Sequence, residues 1–393
     1  MEHIKTRIKE LSRNYLEEIR AIRTHLHQYP ELSFEEFETS KYIQKQLDSN
    51  GISYQNGFVK TGIVGKIKGV NPQKKVLALR ADMDALPVTE DASHSNCSKN
   101  KGVMHACGHD MHMASLLGTA KILQELRTEW EGTVLLIFQP GEELLPGGAR
   151  LMMKEGALNP EPDLIMAQHV LPDMNAGHIG FREGMYMASG DEIYLKVKGK
   201  GGHGAMPHKC DDTVLIASHI VVALQQIVSR HADTRIPTVL SFGRMIAEGA
   251  TNIIPQEVNI AGTFRTMDEE WRAKAKQLIT EIAQNTAKGM GAECEVDIKH
   301  GYPFLVNDKI FTRSAKNAAV AYLDTERVED MEIRMTTEDF GFYSQRYPSC
   351  FYRFGVKKEN SGGLHTSGFQ AEDLSLETSM GTMAFLAIDF LNK

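Results

Sequence analysis

Cysteine is scarce in this 393-residue chain: there are five, Cys97, Cys107, Cys210, Cys294 and Cys350, odd in number and far apart. A disulfide framework needs an even, dense set, so these read as reduced thiols of a cytoplasmic protein. Long apolar runs are missing as well. No stretch reads as long enough to span a bilayer, and the N-terminal MEHIKTRIKELSRNYLEEIR carries charge throughout instead of the apolar centre of a secretory signal. Basic charge is not in surplus either. With 44 Lys and Arg against 51 Asp and Glu, the net charge of −7 offers no field for a nucleic acid or an anionic membrane, and neither is expected as a partner.

What is present suits a globular protein of more than one core. Hydrophobic residues make up 42% and charged residues 24%, ordinary values, and the length exceeds what one core usually organises, so two domains are expected. Apolar positions recur at helical spacing over residues 5–28 and 34–50, the latter stopping at Gly51. Short apolar runs follow at 62–67, 76–79, 134–138 and 164–167, with a helical stretch at 111–126. Buried strands alternating with helices predict an α/β layer with a largely parallel central sheet flanked by helices. The pattern changes near residue 186. Strands are expected at 191–198, 238–245, 258–265 and 294–298, and helices at 212–230 and 269–288. That β-α-β-β-α-β order is the ferredoxin-like split βαβ sandwich. After Tyr302 the first pattern resumes and closes with a helix at 374–392. The expected organisation is therefore a catalytic domain, 1–186 and 301–393, interrupted by an inserted α+β domain at 187–300.

Polar groups that resist an ordinary explanation gather in a few segments: ALRADMDALPVTE (78–90), MHACGHDMH (104–112), FQPGEELLPGGA (138–149), IMAQHV (165–170) and the glycine-rich GGLHTSGF (362–369). The first four lie at strand ends or helix starts, the rim where open α/β sheets bind ligands. Cys107 and His109 share a tight turn before a helix, whose N-terminus favours a thiolate. Glu142 and Glu143 are adjacent after a strand. One can ligate a cation while the other stays free as a general base. His169 ends a strand, His365 sits in a loop, and Asp82 and Asp84 follow a strand, where such an acid can orient a ligating imidazole. Taken singly, each could be a core histidine, a buried thiol or a turn carboxylate. Taken together they suggest a metal site, and mixed S, N and O donors suit Zn, Mn, Co or Ni better than Mg or Ca.

These residues fall within longer stretches that resemble one family. RTHLHQYPELSFEEFETS (23–40), LRADMDALP (79–87), MHACGHDMHMA (104–114), FQPGEE with GGARLMMKEG (138–156), GKGGHGAMPH (199–208), ATNIIPQEVNIAGTFRTMD (250–268), TTEDFGFY (336–343) and LHTSGF (364–369) run nearly end to end in the expected order. The chain resembles the aminoacylase and carboxypeptidase family of co-catalytic metallopeptidases, in the branch of hippurate hydrolase, N-acyl-amino-acid amidohydrolases and indoleacetate–amino acid hydrolases.

The resemblance implies two divalent metal ions held by Cys107, His109, Glu143, His169 and His365, with Cys107 as the bridging thiolate. It implies Glu142 as the base that activates the metal-bridging water and reprotonates the leaving amine, and Asp84 as the acid supporting the site from behind. His203 would steady the oxyanion, in many members from the partner subunit, and Asn252 and Arg265 would approach the substrate at its carboxylate. The inserted domain would then serve as lid and homodimer contact. Much of the wider family has His-x-Asp where this chain reads Asp82-Met83-Asp84, and an aspartate bridge where it has Cys107. His109 takes the place of the missing imidazole, so Asp82 is not counted as a ligand. The function implied is hydrolysis of N-acetyl, benzoyl or similar N-acyl amino acids to a carboxylate and a free amino acid. The alternatives are a dipeptidase or carboxypeptidase with the same site, and an inactive metal-binding scaffold, which would be expected to lack a ligand or the base.

Overall fold

The computed structural model describes residues 1–393. The chain forms two compact units. One comprises Met1–Tyr186, Val306–Ile333 and Phe342–Lys393, and the other Met187–Leu305 and Arg334–Gly341.

In the first unit the elements run α1 (Glu2–Gln28), α2 (Phe37–Ser49), β1 (Ser53–Phe58), β2 (Gly62–Lys68), β3 (Val76–Asp82), α3 (His109–Glu125), β4 (Thr133–Gln139), α4 (Gly148–Lys154), β5 (Leu164–Leu171) and β6 (Ile179–Phe181). Strands Val328–Asp330 and Ser349–Gly355 and the closing helix Ser375–Asn392 come later in the chain. The eight-stranded sheet has the order β1, β2, β4, β3, β5, Ser349–Gly355, β6, Val328–Asp330. Its middle is parallel: β3 pairs in parallel with β4 and β5, and β5 with Ser349–Gly355. Antiparallel pairs flank that middle.

The sequences VLALRAD, TVLLIFQ and LIMAQHVL are buried at every position. Unbroken burial is what parallel strands covered on both faces require. Each apolar side chain so buried contributes about 1.5–3 kcal/mol. Helix α1 buries Ile8, Leu11, Ile19, Ile22 and Leu26, one helical stripe. Helix α3 is buried almost throughout and carries small residues where neighbours come close: a Cβ on Gly118 would stand 2.5 Å from the Met380 sulfur of the closing helix. Because β3, β4 and β5 point the same way, the turns that follow them leave from one edge of the sheet.

In the second unit the strands Thr238–Ile246, Glu257–Thr266, Ser189–Lys198 and Glu293–His300 lie in that order, all antiparallel, with helices Thr213–Leu224 and Glu269–Gly289. Both helices start on an aspartate cap. Asp212 accepts from Leu215 N at 3.0 Å and Asp268 from Trp271 N at 2.6 Å, each satisfying a donor the helix leaves free. Buried Arg272 donates to Asp191 at 2.8 Å and to the Gly301 carbonyl at 3.1 Å, tying the start of the inner strand Ser189–Lys198 to the segment after the last strand. Arg334–Gly341 belongs to this unit because Ala188 N donates to the Arg334 and Thr336 carbonyls, each at 3.1 Å.

One expectation needs correction. Thr213–His231, 19 residues, is long and apolar enough to cross a membrane by length and composition, whereas the sequence reading found no such run. Its periodicity explains the discrepancy: Ile216, Ala217, Ile220, Leu224 and Ile227 face the second core, while Val222 on the other side is exposed. The stretch reads as a core helix with an additional apolar face.

Candidate metal centre

Most groups of the centre sit at the end of a strand or the start of a helix, and one comes from a loop. Cys107 and His109 straddle Gly108, the residue before α3, with φ of 79°. Only glycine fits there, since a Cβ would stand 2.7 Å from Val170 of β5. His169 is near the end of β5, and Glu142 and Glu143 lie on the turn after β4. His365 comes from the loop before the closing helix. Its backbone, at φ 62°, is fixed by its N–H donating to the Ala106 carbonyl at 2.8 Å.

The ligand atoms converge. Cys107, His109 and His169 bring theirs within 4.8 Å of one another, and so do Cys107, Glu143 and His365, and His109, Glu142 and Glu143. Tetrahedral bonds of about 2.3 Å to sulfur and about 2.0 Å to nitrogen place two ligand atoms roughly 3.5 Å apart. Cys107 Sγ is 3.6 Å from His169 Nε2 and 3.3 Å from His365 Nε2, the spacing of donors that share an ion. Cys107 belongs to two of the groups, so the donor set offers places for two cations with the sulfur in common. Two buried atoms, His109 Nε2 and Glu143 Oε1, have no hydrogen-bond partner. His365 Nε2 lies 3.2 Å from that Glu143 oxygen, near enough for an ion pair but not aligned as a hydrogen bond. Orphaned buried donors and acceptors facing one another are costly in protein alone and natural around a cation. The residues present therefore fit a pair of divalent metals.

The electrostatics agree. Burial, and then Glu143, Glu142 and Asp82, push the Cys107 thiol well above its ordinary range, so in the metal-free protein it keeps its proton. Burial alone would lower His109, but Asp82, Asp84 and Glu143 outweigh it and raise this imidazole to about 10. His169 is driven far down, first by burial and then by Arg353. Contact with Glu143 raises His365. A cavity this rich in negative charge holds protons where a metal-loaded one would hold cations.

A further layer aims these donors. The ring nitrogen His109 Nδ1 donates to the Asp84 carbonyl at 2.8 Å, which turns Nε2 toward Glu143. The Asp84 carboxylate accepts from Glu143 N at 2.9 Å and from Ser33 Oγ at 2.6 Å. His169 Nδ1 donates to the Val170 carbonyl at 2.8 Å, leaving Nε2 for Cys107. Asp82 lies 3.5 Å from His109 Nε2 but is already engaged, by Arg80 at 2.7 Å and by His112 Nδ1 at 2.6 Å. His112 Nε2 in turn accepts from Val170 N at 2.9 Å. The sequence reading missed His112, although its place three residues after His109 on one helical face was visible.

His203, Asn252 and Arg265 belong to the second unit. His203 is exposed, and its Nδ1 accepts from Ala205 N at 3.1 Å, which leaves Nε2 to carry the ring proton outward. Asn252 stands beside it: Gly204 N donates to the Asn252 carbonyl at 2.9 Å. Arg265, on the strand Glu257–Thr266, is partly buried beside Gly190, where any Cβ would collide with the guanidinium. Desolvation lowers its pKa while Asp191 and Glu192 oppose this from a distance.

Fold and site together define a metal-dependent hydrolase of amide bonds. Residues 78–386 match the model of Peptidase family M20/M25/M40, and the chain belongs to that family. Over 303 residues it is 41% identical to the N-acyl-L-amino acid amidohydrolase of Geobacillus stearothermophilus, covering 77% of this chain and 81% of that protein. It is 37% identical over 378 residues to thermostable carboxypeptidase 1 of Saccharolobus solfataricus, covering 95% of each. Among solved structures, the YXEP protein of Bacillus subtilis, described as a dinuclear metal binding peptidase from the M20 family, superposes with a TM-score of 0.83 at 33% identity, covering 96% of this chain and 99% of that one.

Proposed function

We propose that the protein hydrolyses the amide bond of N-acyl amino acids, releasing a carboxylate and the free amino acid. The observation that carries this reading is the donor cluster of Cys107, His109, Glu143, His169 and His365 with a further buried carboxylate, Glu142, beside Glu143 and His109. Those five residues would hold two divalent ions, Zn, Mn, Co or Ni. When bound, such ions polarise a scissile carbonyl and acidify water. Glu142 takes the proton of the attacking water and passes it to the leaving nitrogen. His203, through Nε2–H, donates to the oxyanion as the carbonyl becomes tetrahedral. Arg265, whose planar fork matches a carboxylate, would recognise the amino acid's own carboxylate, with Asn252 nearby. Glu142→Ala is expected to keep both metals and lose turnover by at least about a thousandfold, a loss of about 4 kcal/mol of transition-state stabilisation. Metal analysis beside steady-state rates checks it, and unchanged turnover would remove the mechanism.

The carboxypeptidase among the relatives supports a second reading, cleavage of peptides by the same centre. A free amine on the acyl side separates the two. Rates on N-acetyl and benzoyl amino acids against the matching dipeptides, after loading with each metal in turn, decide between them.

We also propose a homodimer through the inserted unit. Thr238–Ile246 is an edge strand with its outer hydrogen bonds unused, and Leu215, Val222, Met245 and Ile253 are exposed on this unit. Sedimentation showing monomer alone at working concentration would overturn this. The reduced Cys107 that the metal centre needs points to a cytoplasmic setting.

A further inference from the structure

The connection between α1 and α2 supplies no group to the donor set, yet it grips two turns beside it: the Asp84–Ala85 turn, whose carboxylate supports the donors, and the Gly141 turn, which carries Glu142 and Glu143. Ala85 N donates to the Glu31 carbonyl at 2.8 Å, and Ser33 Oγ donates to Asp84 at 2.6 Å. Phe34 adopts φ of 66°, in the left-handed region that a residue with a Cβ seldom enters, and its ring fills the space beside Gly141 that any Cβ there would need. Glu36 is wholly buried. Its Oε1 accepts from Gly141 N at 2.9 Å and from Phe34 N at 2.9 Å, and its Oε2 from Thr61 Oγ at 2.7 Å. Gly141, at φ of 61°, is the residue before Glu142 and Glu143.

A buried carboxylate is a poor choice for packing alone. No cation accompanies this one, and the charge that reaches it, from Asp84, has the same sign. A buried carboxylate without a counter-charge is expensive, and an apolar side chain would fill the volume at lower cost. What an apolar side chain could not do is accept the Gly141 and Phe34 N–H groups together. Those two bonds set the direction in which the chain leaves β4 and enters the Glu142 turn.

We infer that Glu36 is a positioning residue, whose carboxylate fixes the Gly141 turn so that Glu142 is aimed at the reacting centre. The inference rests on the reading of Glu142 as the base. The role calls for an acceptor in that place and not for a charge. A glutamine can meet it, since its amide oxygen accepts from Gly141 and Phe34 while its N–H₂ donates to Thr61 Oγ. A misplacement of about 1 Å away from the chemistry can cost about a hundredfold in rate.

The test compares Glu36→Ala and Glu36→Gln in the metal-loaded enzyme, on whichever N-acyl amino acid the wild type cleaves, with kcat, KM and metal content measured for each. E36A is expected to lose about tenfold to a hundredfold in kcat, with KM within about twofold and metal content unchanged, and E36Q to recover to within about threefold of wild type. Wild-type kcat in E36A overturns the inference. So does an E36Q as slow as E36A, because charge would then be the requirement, and so does a loss of metal that accounts for the rate. Should E36A fail to fold, Glu36→Asp carries the test by withdrawing the acceptor one methylene: a fall of about fivefold or more in kcat supports the role, and wild-type kcat overturns it. Failure of the underlying reading looks different, since it appears as turnover in Glu142→Ala with Glu36 intact.

Discussion

Three donors of the first unit and the residues implicated in the second are held in opposite ways. Cys107, His109 and His169 are buried, and each imidazole has its far nitrogen bonded to a carbonyl, His109 to Asp84 and His169 to Val170. His203 and Asn252 are exposed, and Arg265 is only partly covered. The first set is preorganised: its orientation is settled in folding, and binding a cation costs little further ordering. The second set must be ordered by whatever it meets, at about 0.5–1.5 kcal/mol for each side chain immobilised. On the proposed reading, the first set would hold a resident metal and the second would meet a transient substrate, and the two ways of being held suit that division.

The most severe way to break that contrast is Cys107→Ala. The sulfur is common to the group with His109 and His169 and the group with Glu143 and His365, so its loss should leave fewer than two ions per chain and reduce turnover by more than about a thousandfold. Metal analysis after dialysis, alongside kcat, reads both. An alanine variant that keeps two ions and turns over normally would show that the preorganised cluster is not the metal centre. His203→Ala probes the other side. Metal content should be untouched while kcat falls about a hundredfold to a thousandfold, the usual loss of an oxyanion donor. Loss of metal in this variant would erase the distinction between the two sets.

The same contrast decided what could be read from the sequence. Strands β3, β4 and β5 were visible because unbroken apolar runs leave few alternatives, and the polar residues just beyond them stood out against that background. Glu143 and His169 came to notice that way, Cys107 and His109 as a pair on a turn before a helix, and His365 in a glycine-rich loop; the family resemblance joined them as one ligand set, and the fold brings their ligand atoms together. Strand β1, SYQNGF, was not anticipated: it is an edge strand, mostly exposed, with no apolar pattern to mark it. The attachment of Arg334–Gly341 to the second unit was also missed, because it depends on backbone pairing with Ala188, which no side-chain pattern announces. Glu36 was hidden for a third reason. In SFEEFETS it is one of three nearby glutamates at a helix start, where acids ordinarily face water, and only the fold shows that this one is sealed inside.

Glu36 also sharpens the comparison by showing that the preorganised side carries a cost. Burial, and then Asp84, push its carboxyl up to about 7. Between its ordinary value near 4.5 and about 7, the folded protein holds a proton that the unfolded chain has released. The sign follows: the contribution of this group to stability is complete below 4.5, shrinks as pH rises through 7 and is gone above it. Glu36→Gln cannot titrate and is spared that loss. In the metal-free protein, the stability of wild type relative to E36Q should therefore decline between about pH 5 and pH 8 by at most about 3 kcal/mol. Urea unfolding of both proteins at the two pH values measures it. Parallel pH profiles would mean that the carboxyl titrates as it does in water and that the brace costs nothing. A widening gap would place Glu36 among residues kept for the geometry they impose on the neighbouring turn and not for stability.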